Sequence, residues 1–165
     1  MKKIILFILV LISTNVLAEK VSEARLDEVV ARGVHVMPFD LEKTLHIFTK
    51  VENGGVQQVI AKDKHDTAQI LLIREHLSKI AQEFNQGDFS NPVKIHGEKM
   101  AGLEALKKAE KGTLNIIYKD LPDGAQLDYF SEKADLVTAI HQFFEAQLSD
   151  HARHAVSGHE NHHSK

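Results

Sequence analysis

The chain of 165 residues contains no cysteine. That absence excludes disulfides, a lipid anchor on an N-terminal cysteine, and any metal site built on thiolate. A basic excess is missing too: 20 Lys+Arg stand against 23 Asp+Glu, a net charge of −3 with neutral histidine. Nucleic acid and anionic membranes reward clustered positive charge, so neither is expected as the main partner. No Gly-rich phosphate loop, His-Glu-x-x-His pair or Gly-x-Ser-x-Gly elbow occurs. Aromatic residues are few, and the one aromatic-rich patch is Phe143-Phe144, so no stacking platform for bases or sugars is visible. Past the N-terminus there is no long apolar run, and none long enough to span a bilayer.

What the chain has in excess is histidine, with eleven residues. Imidazole is the commonest metal ligand and the one side chain that titrates near neutrality unaided. Site chemistry is thereby confined to nitrogen, oxygen and thioether donors.

Residues 1–18 read as a signal peptide: Lys2 and Lys3, an apolar stretch from Ile4 to Ile12, and Val16 and Ala18 at the positions a signal peptidase inspects. Cleavage after Ala18 leaves 18 of the basic residues against all 23 acidic ones, a net charge of −5. The expectation is a periplasmic or secreted protein that does not span the membrane. It divides into a lead-in over 19–36, a single α+β domain over 37–156, and a disordered histidine-rich tail over 157–165.

Within the domain, Leu45-His46-Ile47-Phe48-Thr49-Lys50 alternates as a strand. Asn53-Gly54 supplies the dihedrals of a tight turn, and Val56-Gln57-Gln58-Val59-Ile60 resumes the strand. The plan returns 69 residues later, pairing Leu45 with Leu114, Ile47 with Ile116, Lys50 with Lys119, Gly55 with Gly124 and Gln57 with Gln126. Each hairpin leads into an amphipathic helix. The first is capped by Asp66 or Thr67 and buries Ile70, Ile73, Leu77, Ile80, Ala81 and Phe84. The second starts near Asp135 and turns Val137, Ile140, Phe144 and Leu148 inward. The order predicts an antiparallel sheet of about four strands, built from two β-hairpin-plus-helix units with the helices on one face. Between the units, Gly87 to Pro92 reads as a loop, and a short helix is expected from Met100 to Ala109.

The histidines fall unevenly. On a helical projection His151 and His154 continue the inward line of Ile140, Phe144 and Gln147, three residues apart, a spacing at which two imidazoles can share a metal. His96 precedes Met100 by four residues, offering a nitrogen and a soft thioether that copper accepts. His76 flanks the first helix beside Glu75, and His141 flanks the second beside Glu145. His46 lies on the Phe48 side of its strand, and Met37 sits close to His35. His159, His162 and His163 crowd the tail, where a flexible tract binds divalent metals weakly.

Met37-Pro38-Phe39-Asp40-Leu41, Gly54-Gly55-Val56-Gln57, Gly87-Asp88-Phe89, Ile95-His96-Gly97 and Ala146-Gln147-Leu148-Ser149-Asp150-His151 together resemble a small bacterial family of uncharacterised proteins. Its members often bear the label aspartate carbamoyltransferase. The resemblance spans residues 37–155 and places His46, His76, His96, His141 and His151 inside the shared region. The Ser-Thr-Arg-Thr loop that holds carbamoyl phosphate in that transferase is missing here, so no catalytic residue carries over.

Three readings follow. The first is a metal-binding protein that takes copper or zinc through His96, His151 and His154, with His76 and Met100 completing the set. The second is a module that binds a partner or small ligand on the open sheet face through Phe48, Tyr118 and Tyr129. The third is a histidine-dependent enzyme using Glu75/His76 or Glu145/His141. Composition and spacing set no oligomeric state.

Overall fold

The computed structural model describes residues 21–158. The expected signal peptide (1–18) and the tail residues His159, His162 and His163 lie outside the described residues. Five helices and five strands form an α+β fold: α1 (Glu23–Gly33), β1 (Thr44–Val51), β2 (Gly54–Ala61), α2 (Thr67–Asn85), α3 (Ser90–His96), α4 (Leu103–Lys107), β3 (Asn115–Leu121), β4 (Gly124–Phe130), α5 (Ala134–Asp150) and β5 (Ala155–Ser157). None of the helices among these residues is long and apolar enough to cross a membrane.

Local chemistry accounts for most boundaries. The Ser22 hydroxyl accepts from the Arg25 amide to open α1, and the Asp66 carboxylate accepts from the Gln69 amide to open α2. Glu52 and Asn53 turn β1 into β2, one residue before the expected Asn53-Gly54, and Val51 pairs with Gly54 across the hairpin. Residues Ile70, Ile73, Leu77, Ile80, Ala81 and Phe84 form the buried stripe of α2, as their spacing predicts. The stripe of α5 is rotated from the expected one. Leu136, Ala139, Ile140, Phe143, Phe144 and Gln147 are buried, while Val137 and Leu148 sit at its margins.

The sheet order is β3-β4-β2-β1-β5, so the two hairpins meet through antiparallel β2 and β4. This corrects the expectation of four antiparallel strands: the sheet is five-stranded and mixed, because β5 runs parallel to β1 on its free edge. The chain turns over residues 151–154 after α5 and lays Ala155, Val156 and Ser157 beside His46, Ile47 and Phe48. Three residues are too few to show strand alternation. Two further expectations move. The second half of the expected loop, from Ser90 to Pro92, instead opens α3 (Ser90–His96), which keeps Pro92 in its first turn, where the missing N–H costs nothing. The helix expected from Met100 shortens to Leu103–Lys107.

Phe84 of α2 and Phe144 of α5 both meet Tyr129 of β4, with ring centroids 6.4 and 5.1 Å away, so the two long helices cover the same face. Phe48, Phe84, Phe89, Phe143 and Phe144 close the core beneath them. The lead-in is part of this packing, since α1 buries Leu26 and Val29.

Gly102 adopts φ +76, and a Cβ there would stand 2.1 Å from the carbonyl oxygen of Ala139 on α5. Gly112 has a similar φ of +83 but open space around it. Gly102→Ala is therefore expected to lower the unfolding free energy by about 3 kcal/mol, and Gly112→Ala by only about 1 kcal/mol. Denaturant unfolding of both variants checks the difference.

Candidate functional site

Strand alternation places His46 and Phe48 on the helix-covered face of β1, so the aromatic core grades into imidazoles at one end. His46 stacks on His151 with centroids 5.5 Å apart and planes 4° from parallel. His96 meets His151 edge-on at 4.9 Å. Phe39 packs against both His46 and His76, at 5.9 and 5.6 Å. These rings surround a cavity of about 50 Å³, whose walls include Met37, His46, His76, His96, Gln147 and His151 among apolar side chains from α2 and α3. No carboxylate lines it.

His96 is the most constrained member. Its Nδ1 lies 2.8 Å from Oδ2 of Asp150 at the end of α5. Arg25 of α1 grips the same carboxylate through Nη2 at 2.6 Å and Nε at 3.3 Å, and Nη2 also donates to the His96 carbonyl at 2.8 Å. Burial alone would raise the Asp150 carboxyl, but the hydrogen bonds from His96 and Arg25 outweigh it and hold the group at about 2. An ionised carboxylate only accepts, so the proton between the pair belongs to Nδ1 of His96. The other ring nitrogen, Nε2, is buried without a hydrogen-bond partner among the described residues.

Among the described residues, three more buried ring nitrogens lack partners: Nδ1 of His46, of His151 and of His154. Burial pushes His46 and His76 down to about 4 and His151 well below the usual imidazole range, where neighbouring His46 and His96 depress it further. These rings are neutral at physiological pH and offer lone pairs rather than charge.

Of the residues singled out by sequence, the fold brings His76, His96 and His151 to one cavity and adds His46. His154 is buried but apart from the cavity wall, with Nε2 directed to Glu42 at 2.7 Å. The shared helical face expected for His151 and His154 does not form, because α5 ends at Asp150, His151 caps it, and the chain turns through His154 into β5. Met100 is buried in the core and does not line the cavity. Among the described residues, no group of three or more His, Cys, Asp or Glu side chains converges on a point that could hold a metal ion.

The fold also places the residues of the other two readings, leaving Tyr118 half-exposed with its hydroxyl donating to Asp120. Phe48 and Tyr129, expected on the open sheet face, are 1% and 2% exposed beneath the helices. His141 directs Nε2 to the carbonyls of Val51 and Gly54, bracing the first hairpin, while Glu145 pairs with Lys50. Glu75 is exposed and His76 turns to Phe39 instead. No protein-family model, curated protein or solved structure matches the chain.

Residues the sequence reading passed over supply the support. Arg25 and Asp150 are 125 positions apart, and no local pattern links them. His46 did leave a signal, its alternation with Phe48. An unfolded imidazole protonates near 6.5 while folded His46 waits until about 4, so the unfolded state binds more protons between those values. Stability conferred by the neutral ring is complete above pH 6.5 and falls as pH drops toward 4, by about 3 kcal/mol for one such histidine. The Asp150 contribution has the opposite origin: it persists above its ordinary value of 3.8 and goes only as pH falls through about 2. Denaturant unfolding at pH 7, 5.5 and 4 should show this decline, and His46→Phe should flatten it.

Proposed function

We propose that this chain is an exported protein that binds a transition metal ion, copper or zinc, through the histidines of the cavity. His96 and His151 are the primary donors, with His46 and His76 available to complete the set. His154 and Met100 drop from the ligand list, since neither lines the cavity. The observation that carries this reading is the set of unpartnered ring nitrogens on His46, His96 and His151, all buried at one small cavity. Each such atom costs about 1–3 kcal/mol when left without a partner, and a fold rarely concentrates that cost in one place without use for it.

The surroundings of His96 suit ligation. A metal-bound imidazole commonly donates its other N–H to a carboxylate, which fixes the tautomer and raises the basicity of the ligating nitrogen. Asp150 stands in that position. Neutral rings also spare the ion a competition with protons at physiological pH. The donors do not converge as they stand, so ligation by three of them requires the rings to turn about their side-chain torsions.

Cavity size separates the ion from a small organic ligand. Pockets for such ligands run to about 300–1,000 Å³, against about 50 Å³ here. The resemblance to the family labelled as carbamoyltransferases contributes no catalytic group, and the proposed activity is binding.

Elemental analysis of the protein after dialysis should find one equivalent of metal when His159, His162 and His163 are replaced by alanine. His96→Ala and His151→Ala should each weaken binding by about a hundredfold, and Asp150→Asn by about ten- to a hundredfold. His154→Ala should leave affinity unchanged. Unaltered affinity in both His96→Ala and His151→Ala, with the fold intact by circular dichroism, sinks the assignment.

A further inference from the structure

We infer that the ion this cavity takes is monovalent copper, and that Met37 supplies a thioether donor beside the imidazoles. The inference rests on the metal-binding reading and sharpens it to one ion and one further residue.

Charge is the first consideration. Among the described residues, every donor group on the cavity wall is of a type that ligates without charge: the imidazoles of His46, His76, His96 and His151, the Met37 thioether and the amides of Gln57, Asn91 and Gln147. The nearby Asp150 carboxylate is matched by Arg25 at 2.6 Å, and Glu83, which accepts from Asn91 of the wall, is matched by Lys79 at 3.6 Å. The cost of taking an ion out of water rises with the square of its charge, so a dication pays roughly four times what a monocation does. An apolar wall with neutral donors discriminates in the same sense against zinc and divalent copper.

Donor softness is the second. Met37 is 7% exposed and lines the same cavity as the three unpartnered histidines. Its amide donates to the Gly33 carbonyl at 2.8 Å, which fixes the residue against the end of α1. A Cβ on Gly33 would lie 2.7 Å from the Met37 methyl carbon, so the absence of a side chain there seats the thioether end. Thioether sulfur selects the cuprous ion, whereas zinc prefers thiolate, imidazole and carboxylate. The scattered donors fit this choice as well, because a d¹⁰ cuprous ion accepts low coordination numbers and needs fewer groups to converge than the three that are missing.

The test uses the full chain with His159, His162 and His163 replaced by alanine, alone and combined with Met37→Leu or Met100→Leu. Leucine keeps the volume and removes the sulfur. Each protein is titrated with cuprous ion under anaerobic reducing conditions against bicinchoninate, and separately with zinc against a chromogenic chelator. The expected result is one equivalent of cuprous copper, held about tenfold or more weakly in Met37→Leu, with zinc affinity and the Met100→Leu protein unchanged. A sulfur shell in the copper X-ray absorption spectrum should vanish with Met37→Leu. Zinc binding tighter than cuprous copper overturns the inference while the metal-binding reading stands. So does a Met37→Leu protein that weakens both ions alike or neither. Failure to bind either ion overturns both.

Discussion

The carboxylate of Asp150 is the point on which this end of the molecule depends. It sits at the last residue of α5, and it is held by Arg25 from α1 and by His96 from the last turn of α3. Arg25 also reaches the His96 carbonyl, so three helices are tied through three side chains and one backbone oxygen. Charge-assisted hydrogen bonds of this kind are short and directional. Their consequence is geometric more than energetic: α1 becomes part of the domain, and Nδ1 of His96 is committed to the Asp150 carboxylate.

Around that anchor the core changes character without a break. Phe144 meets Phe48 at 5.1 Å, Phe48 stacks toward His46 at 6.4 Å, His46 lies on His151, and His151 meets His96. Phenyl rings give way to imidazoles that are as deeply buried as the phenylalanines, since His46, His96, His151 and His154 are all below 7% exposure. A phenyl ring would fill these positions with no polar cost. Imidazole there lowers its own proton affinity by desolvation and leaves nitrogen lone pairs unused. The packing is that of a core, and the chemistry is that of a donor set awaiting an electrophile. The occupant we propose, a metal ion of low charge, would answer both the apolar walls and the unused lone pairs.

Much of the scaffold was legible in the sequence because it is local. Alternation gave the first hairpin, with Glu52-Asn53 rather than Asn53-Gly54 as its turn, Asp66 gave the start of α2, and apolar spacing gave its whole buried stripe. The site was legible only as a list of residue types. His96 and His151 do meet at one cavity, but the imidazole stacked on His151 is His46 from β1 rather than His154 along the helix. Helical projection assumed that α5 continued past Asp150, and the chain instead turns there to add β5 to the edge of β1. The Arg25–Asp150 link joins the two ends of the domain, and only the folded chain reveals it.

The account turns on the proton between His96 and Asp150. Long-range ¹H–¹⁵N correlation spectra of the metal-free protein at neutral pH read that proton directly. Nitrogen shifts placing it on Nδ1 of His96 with Nε2 bare, and returning to an exchanging mixture in Asp150→Asn, are the predicted result. A proton fixed on Nε2 of His96 would close the ligating position and contradict the account.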